Sequence, residues 1–207
     1  VVYPELLIWA FNQQKDFEGA LVQVKALDRR LNEGGSRVME LARQATMQEE
    51  YAVAIDAYEY VIAKGVENKW HDPAKIELLR CRNAKITKKG DYTDADIETL
   101  KNEYIEFLEF SGKKRINVST MRELAHLYTF YLNDLDKGIS MLHEVVDMPS
   151  AHKQDIAEAK LDLGDYYLMK NDIWESTLLY SQVDKAFKDD ILGEEARFRN
   201  AKLSYYH

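Results

Sequence analysis

The five histidines are the residues of this sequence best suited to binding a metal ion. They are His71, His126, His143, His152 and His207. No two of them have the His-x-x-x-His spacing that places two ligands on one face of a helix, and no His-Glu-x-x-His motif occurs. His126 falls on a predicted packing position, so we expect a core or partly buried residue there. We therefore predict no metal site and no bound cofactor.

Cys81 is the only cysteine and the strongest candidate nucleophile. Its sequence neighbours Arg80 and Arg82 could lower the pKa of the thiol. Consecutive residues of a helix point in different directions, however, so neither guanidinium is expected to face the sulfur. We predict a packed, inert thiol, and a single cysteine forms no internal disulfide.

Asp162 and Asp165 are spaced so that one helix would present both carboxylates, as general acid–base catalysis requires. The same spacing is common on solvated helices, and we predict that these two residues lie on such a surface. Gly34 and Gly35 stand alone rather than in a phosphate-binding loop, and they are typical of the end of a helix. The sequence thus predicts that the chain is not an enzyme.

The composition indicates a soluble chain and argues against nucleic-acid binding. Hydrophobic residues make up 46% and charged residues 31% of the 207 positions, and the formal net charge is −8. Nucleic-acid-binding proteins usually carry a basic excess instead. The one dense basic run, at residues 113–115, is expected in a solvated loop. The longest apolar run, residues 6–11, is far shorter than the roughly 20 residues of a transmembrane helix.

Helices must dominate, because 9 glycines and 3 prolines are too few for the turns of an all-β protein. Asp72 followed by Pro73 predicts a helix start. Thr120 and Glu123 have the spacing of a capping box, which predicts a second start.

Five short turns, each ending in a large apolar residue, reveal an internal repeat. They are residues 15–17, 49–51, 90–92, 133–135 and 171–173. A small residue follows three positions later, where we expect close contact with a neighbouring helix. These small residues are Ala20, Ala54, Ala95, Gly138 and Ser176. Apolar residues then continue at helical spacing in four of the five repeats, which predicts that one face of each helix is buried.

These turns and helix faces resemble the tetratricopeptide repeat (TPR), and the resemblance covers essentially the whole chain. It implies an all-α fold, an α-α superhelix or solenoid of antiparallel helix pairs. The predicted pairs span about 1–34, 35–68, 73–112, 117–149 and 153–188, followed by a lone first helix at 192–206. We expect the chain to be part of a longer array. The third pair departs most from the family pattern, since Thr99 and Asn102 stand where apolar residues are expected.

The resemblance implies that the first helices of the pairs line a concave groove that binds a peptide or a partner helix. In the family register, the expected groove residues are Trp9, Met39, Arg43, Arg80, Leu127, Phe130, Leu161, Leu168, Phe198 and Tyr205. Aromatic residues and arginine are common at binding hot spots. For Trp9, Phe198 and Tyr205, packing against further repeats is the alternative.

The predicted function is therefore a non-catalytic scaffold for protein–protein interaction, with no nucleic-acid partner. Two alternatives stay open. The repeats could be the docking or sensing arm of a larger regulator or enzyme, or they could belong to an envelope assembly factor. The last third of the chain is similar to long multi-TPR proteins of Bacteroidetes-type bacteria, which implies a bacterial cell envelope (periplasmic) location.

Overall fold

The computed structural model describes residues 16–90 and 92–206, and all regular structure in those residues is helical. The elements in chain order are α1 (Phe17–Leu31), α2 (Ser36–Met47), α3 (Tyr51–Ile62), α4 (His71–Lys89), α5 (Asp94–Ser111), a 3₁₀ helix (Arg115–Asn117), α6 (Val118–Phe130), α7 (Leu135–Val146), α8 (Lys153–Met169), α9 (Ile173–Ala186) and α10 (Ile191–Tyr206). The all-α prediction is confirmed for this part of the chain. Trp9 lies outside the described residues.

The chain divides into two compact units, residues 1–96 and 97–207. In the first unit, α1 packs on α2, α2 on α3 and α3 on α4. In the second unit, α6, α7, α8, α9 and α10 pack in the same consecutive manner. The boundary falls in the first turn of α5, inside the predicted third pair.

Three of the five turns carry an aspartate that caps the helix that follows it. Asp16 accepts a hydrogen bond from the backbone N–H of Gly19 at 2.9 Å, and Asp134 and Asp172 do the same for the N–H groups of Lys137 and Glu175. Each of these carboxylates satisfies one donor that the first turn of a helix leaves free.

The expected close contacts after the turns occur in four of the five places. Ala20, Ala54 and Ser176 are fully buried. A Cβ atom on Gly138 would lie 3.0 Å from the carbonyl oxygen of Ala125 on α6. Ala95 is exposed, so the prediction for the third pair is wrong. The helix there turns a different set of residues inward, namely Ile97, Leu100 and Tyr104.

Both predicted helix starts are displaced. α4 begins at His71 with Trp70 as the N-cap residue, so Asp72 lies inside the first turn. α6 begins at Val118 after Asn117, and Thr120 is buried in the helix instead of capping it. Asn117 is itself held by its side-chain amide, which donates to the Ser111 hydroxyl at 2.9 Å.

Gly164 of α8 lies directly against the ring of Tyr180 on α9. A Cβ atom added there would lie 2.3 Å from the ring of Tyr180 on α9. That ring is 1% exposed, and its hydroxyl donates to Asp165 at 2.6 Å. The ring therefore has no free space into which it could shift.

We predict that Gly164→Ala destabilises the protein by about 1–3 kcal/mol, because the added methyl overpacks the contact with Tyr180. Glycine to alanine inside a helix otherwise stabilises by up to about 1 kcal/mol, so the sign of the change is informative. Urea unfolding followed by circular dichroism measures it.

The matched control is the double variant Gly164→Ala with Tyr180→Leu, in which the smaller side chain makes room for the methyl. The cost of the alanine should be smaller in that background than in the parent protein. Equal costs in the two backgrounds, or a stabilising Gly164→Ala, would contradict the contact.

Candidate functional site

Three first helices share one buried position that sets which side chains they expose. The position is occupied by Ala42 on α2, Ala125 on α6 and Gly164 on α8, all of them buried. Five residues later each helix carries a large apolar side chain in its last turn. These side chains are Met47, Phe130 and Met169, which are 80%, 51% and 53% exposed. Every one of the three helices therefore ends in an apolar group open to solvent.

Phe130 is held in place by aromatic contacts on both sides. Its ring centroid lies 4.3 Å from that of His126, one turn earlier on α6. On the other side it meets Tyr166 of α8 edge to face, with the centroids 5.9 Å apart. Tyr166 is itself buried. The exposed ring thus packs against side chains of two helices, α6 and α8.

A ladder of ion pairs connects α6, α8 and α10 beside that ring. Arg122 of α6 donates to Asp162 of α8 at 2.8 Å, and it also bonds Glu158. Arg199 of α10 donates to Asp165 of α8 at 2.6 Å. Sequence reasoning missed both arginines, although it singled out Asp162 and Asp165. These two carboxylates are partly exposed on the surface, and they pair with arginines of the neighbouring helices.

Arg199 also makes two contacts that fix its own position. Its guanidinium donates to the backbone carbonyl of Leu161 at 3.2 Å and to Glu195 at 2.8 Å. A guanidinium with several fixed acceptors is pre-organised, so the ion pair between Arg199 and Asp165 holds α10 firmly against α8.

Burial controls the ionisation of this region. It raises the pKa of Asp162, and Arg122 offsets that effect only in part. Burial also lowers the pKa of His126, with Asp162 acting in the opposite direction. His126 is exposed rather than buried in the core, and its ring packs against that of Phe130 at an interplanar angle of 39°.

We call the combined surface the first-helix face. It consists of Arg122, Glu123, His126 and Phe130 on α6, Glu158, Asp162, Asp165 and Met169 on α8, and Glu195 and Arg199 on α10. Five carboxylates stand against two permanent cations, so the surface has an acidic excess. The apolar groups lie at the C-terminal ends of α6 and α8.

Three predicted groove residues are core residues instead. Met39 is 1%, Leu127 1% and Leu161 4% exposed. Met39 belongs to the same buried cluster as Ala74 of α4, and Leu161 belongs to the same buried cluster as Ala196 of α10. Met39 and Leu161 lie three residues before the buried small residue of their helix, and Leu127 lies two residues after Ala125, and all three side chains face the core. These three assignments are corrected accordingly.

Phe198 and Tyr205 are exposed but lie on a different side of α10. The helix contacts the rest of the unit through Ala196 and Leu203, and Phe198 and Tyr205 lie on the opposite side. Leu168 is half-buried. These residues do not join Phe130 in one surface.

The two predicted arginine anchors belong to the first unit. Arg43 is exposed on α2, directly after Ala42, at the helix position that His126 occupies on α6. Arg80 is half-buried on α4, where it bonds Glu77 of the same helix at 3.3 Å.

The candidate nucleophile Cys81 is part of the core. Cys81 is fully buried, and burial raises the pKa of its thiol to about 11. The thiol is packed, as predicted. In residues 16–90 and 92–206, no three metal-ligating side chains come together, and no helix there has the length and apolarity to cross a membrane.

The chain is similar to solved tetratricopeptide-repeat structures. A thermophilic TPR protein of Thermus thermophilus matches it with a TM-score of 0.62 and 14% identity, over 98% of each chain. A TPR protein of Parabacteroides merdae gives a TM-score of 0.61 and 13% identity, over 84% of this chain and 61% of that one. No protein-family model matches the sequence, and no curated protein matches it either.

The chain has the TPR fold. Met47 and Met169, which sequence reasoning missed, become visible once the TPR helices are aligned on their small residues. Each follows its small residue at the same distance as Phe130 does. The signal was present in the sequence, but it required the correct register of every first helix.

A buried charged cluster in the first unit is centred on Asp28, whose partners all come from the same chain. Asp28 is 0% exposed, and its carboxylate accepts from the backbone N–H of Gly35 at 2.6 Å and from the Tyr60 hydroxyl at 2.9 Å. The ammonium of Lys64 lies 2.6 Å away. Burial raises the pKa of Asp28, but these three partners outweigh it, and the net pKa is lowered. The cluster therefore closes the turn between α1 and α2.

We predict that Asp28→Asn destabilises the first unit by about 2–4 kcal/mol, because it leaves Lys64 without its buried counter-charge. The lowered pKa gives a second signature. The carboxylate stabilises the fold above its unfolded pKa of about 3.9, and that contribution is lost as the pH falls through the folded pKa. Urea unfolding across acidic pH measures both effects.

Asp56→Asn is the matched control, because Asp56 pairs with Lys25 at 2.7 Å but its side chain is 63% exposed. It should cost less than about 1 kcal/mol. Equal losses in the two variants, or an Asp28→Asn protein whose stability depends on acidic pH as the parent's does, would refute the assignment.

We also predict that Arg122→Met destabilises the second unit by about 1–2 kcal/mol, since Asp162 and Glu158 lose a shared, partly buried partner. Lys170→Met is the control, because the Lys170 side chain is 52% exposed and pairs with the 81% exposed side chain of Asp136 at 2.7 Å. That variant should change stability by about 0.5 kcal/mol or less. Thermal unfolding of both variants measures the loss of stability. If the two losses were the same, the ion pairs of Arg122 would contribute no more than an exposed surface pair.

Proposed function

We propose that this protein is a non-catalytic scaffold that binds a peptide or a helix of a partner protein on the first-helix face. The observation that carries the proposal is the half-exposed ring of Phe130, fixed between His126 and Tyr166 beside the carboxylates of α8. An exposed aromatic group that is already ordered loses little entropy on binding. Aromatic anchors of this kind are typical of interaction hot spots.

The chemistry of the face suggests what the partner contributes. Met169, at 53% exposure, extends the apolar area to the end of α8. The acidic excess beside it favours a partner that carries lysine or arginine next to an apolar side chain. Met side chains adapt their shape, so the face could accept several apolar groups.

The ion-pair ladder has a supporting role in this proposal. Arg122 and Arg199 keep α6, α8 and α10 in register, and the exposed groups of the three helices then form one surface. Because the arginines already neutralise part of the acidic charge, the expected attraction for a basic partner is moderate and decreases with salt.

The proposal is tested with a random linear peptide library displayed on phage. Peptides are selected on the parent protein and counter-selected on the double variant Phe130→Ser with Met169→Ser. We expect the enriched peptides to combine basic and apolar residues. The Kd of a synthesised hit should rise by about tenfold or more in the double variant, since the apolar anchor is lost.

Trp174→Ser is the matched control, because Trp174 is 78% exposed but lies on the second helix α9. It should leave the Kd unchanged, and all three proteins should have the same far-UV circular dichroism. Peptides that bind the parent and the double variant equally well, or that lose affinity only in Trp174→Ser, would refute the assignment of the binding face.

A further inference from the structure

A second surface site lies inside one helix pair, away from the first-helix face. It is an open cleft of about 490 Å³ between the N-terminal half of α8 and the C-terminal end of α9. Its floor is apolar and includes Ile156, Val183 and Phe187. The volume is within the usual range for ligand sites in proteins, roughly 300–1,000 Å³.

The cleft exists because a lysine replaces a core residue of the repeat. Lys160 stands four residues before Gly164 on α8. The corresponding residues before Ala42 and Ala125 are Val38 and Met121, and both are fully buried. Lys160 is instead directed to the rim, where its ammonium donates to the side-chain oxygen of Gln182 at 2.8 Å. The space that an apolar side chain fills in the other two helices therefore stays open.

The charge of the cleft is opposite to that of the unit that contains it. Lys153 and Lys160 line it, and its lining includes no carboxylate. A cleft of about 280 Å³ between α1 and α3 also contains a lysine, Lys25, but that cation is paired with Asp56 across the cleft at 2.7 Å. The cations of the α8–α9 cleft have no such counter-charge in the lining.

The spacing of the two lysines favours one kind of ligand. They are seven residues apart on α8, so their Cα atoms are separated by about 10 Å along the helix. Lysine side chains are long, so each ammonium group can pair with a carboxylate of its own on either side of the apolar floor. A chain with several carboxylates around one apolar group could satisfy both lysines and the floor at once.

We propose that the cleft between α8 and α9 is a docking site for an acidic peptide segment, with one apolar side chain inserted between Lys153 and Lys160. The apolar side chain covers Val183 and Phe187, and the flanking carboxylates pair with the two ammonium groups. Because this surface differs from the first-helix face, a partner could occupy both.

The test uses a fluorescein-labelled, N-acetylated peptide in which leucine is flanked on each side by two glutamates. Binding to the intact chain is measured by fluorescence anisotropy. Saturable binding is expected, and it should weaken by about tenfold in Lys160→Met and by about fivefold in Lys153→Ala. Lys160→Met also restores the residue type of Met121, so this variant should fold at least as stably as the parent.

Two controls separate this site from general attraction between charges. Lys185→Ala, on an exposed part of α9 outside the cleft, should bind like the parent, and so should Phe130→Ser with Met169→Ser. A peptide with serine in place of leucine should bind at least about fivefold more weakly, because it has no group for the apolar floor.

Several outcomes would overturn the proposal. They are an absence of saturable binding to the parent, equal affinity for the leucine and serine peptides, and unchanged affinity in both Lys160→Met and Lys153→Ala. If decanoate displaced the peptide at concentrations well below the Kd of the peptide itself, the cleft would be a fatty-acid site instead. If Lys160→Met failed to fold, the Lys153→Ala and serine-peptide comparisons would still decide the matter.

Discussion

The close approach of a first helix to its second helix is the constraint on which the helix pairs depend. At Gly164 of α8 the Tyr180 ring of α9 occupies the space that a Cβ atom would take. Ala42 and Ala125 are fully buried at the same helix position. Once this position is fixed against the partner helix, the 3.6-residue period determines which other positions are buried and which are open. The exposed last-turn residues, Phe130 and Met169 among them, follow from that single contact.

Charge is used differently in the two units. In the first unit one carboxylate, Asp28, is fully buried and receives three partners, which fixes a turn. In the second unit the carboxylates of α8 are only partly covered, and they connect three helices through Arg122 and Arg199. Burial with full satisfaction gives local rigidity, whereas partial exposure leaves charge available to a partner.

The α8–α9 pair shows how a repeat can gain a second surface. Replacing an apolar residue by Lys160 at a position that is otherwise buried removes side-chain volume from the core and adds a cation at the rim. The pair remains folded because Leu161, Tyr180 and Ala196 still pack together nearby. Such a substitution costs packing, and a binding role would explain why it is accommodated.

The sequence by itself determined the helical class and the position of most turns. Asp16, Asp134 and Asp172 cap helices through short-range hydrogen bonds, so a local pattern was sufficient to locate them. The buried faces of α1 and α3 were also predictable, because helical spacing alone places their apolar residues together. The third pair failed at Ala95, where the local pattern did not match the helix face that was buried.

Only the tertiary structure decided which first-helix residues are open to a partner. Leu127 and Phe130 are both large, apolar and on α6, yet one is 1% and the other 51% exposed. A shift of one residue turns a helix by about 100°, so a small error in register exchanges core and surface. The pairing of Arg122 with Asp162 joins residues 40 positions apart in the sequence. No local pattern specifies that contact, because it arises only when α6 and α8 pack side by side.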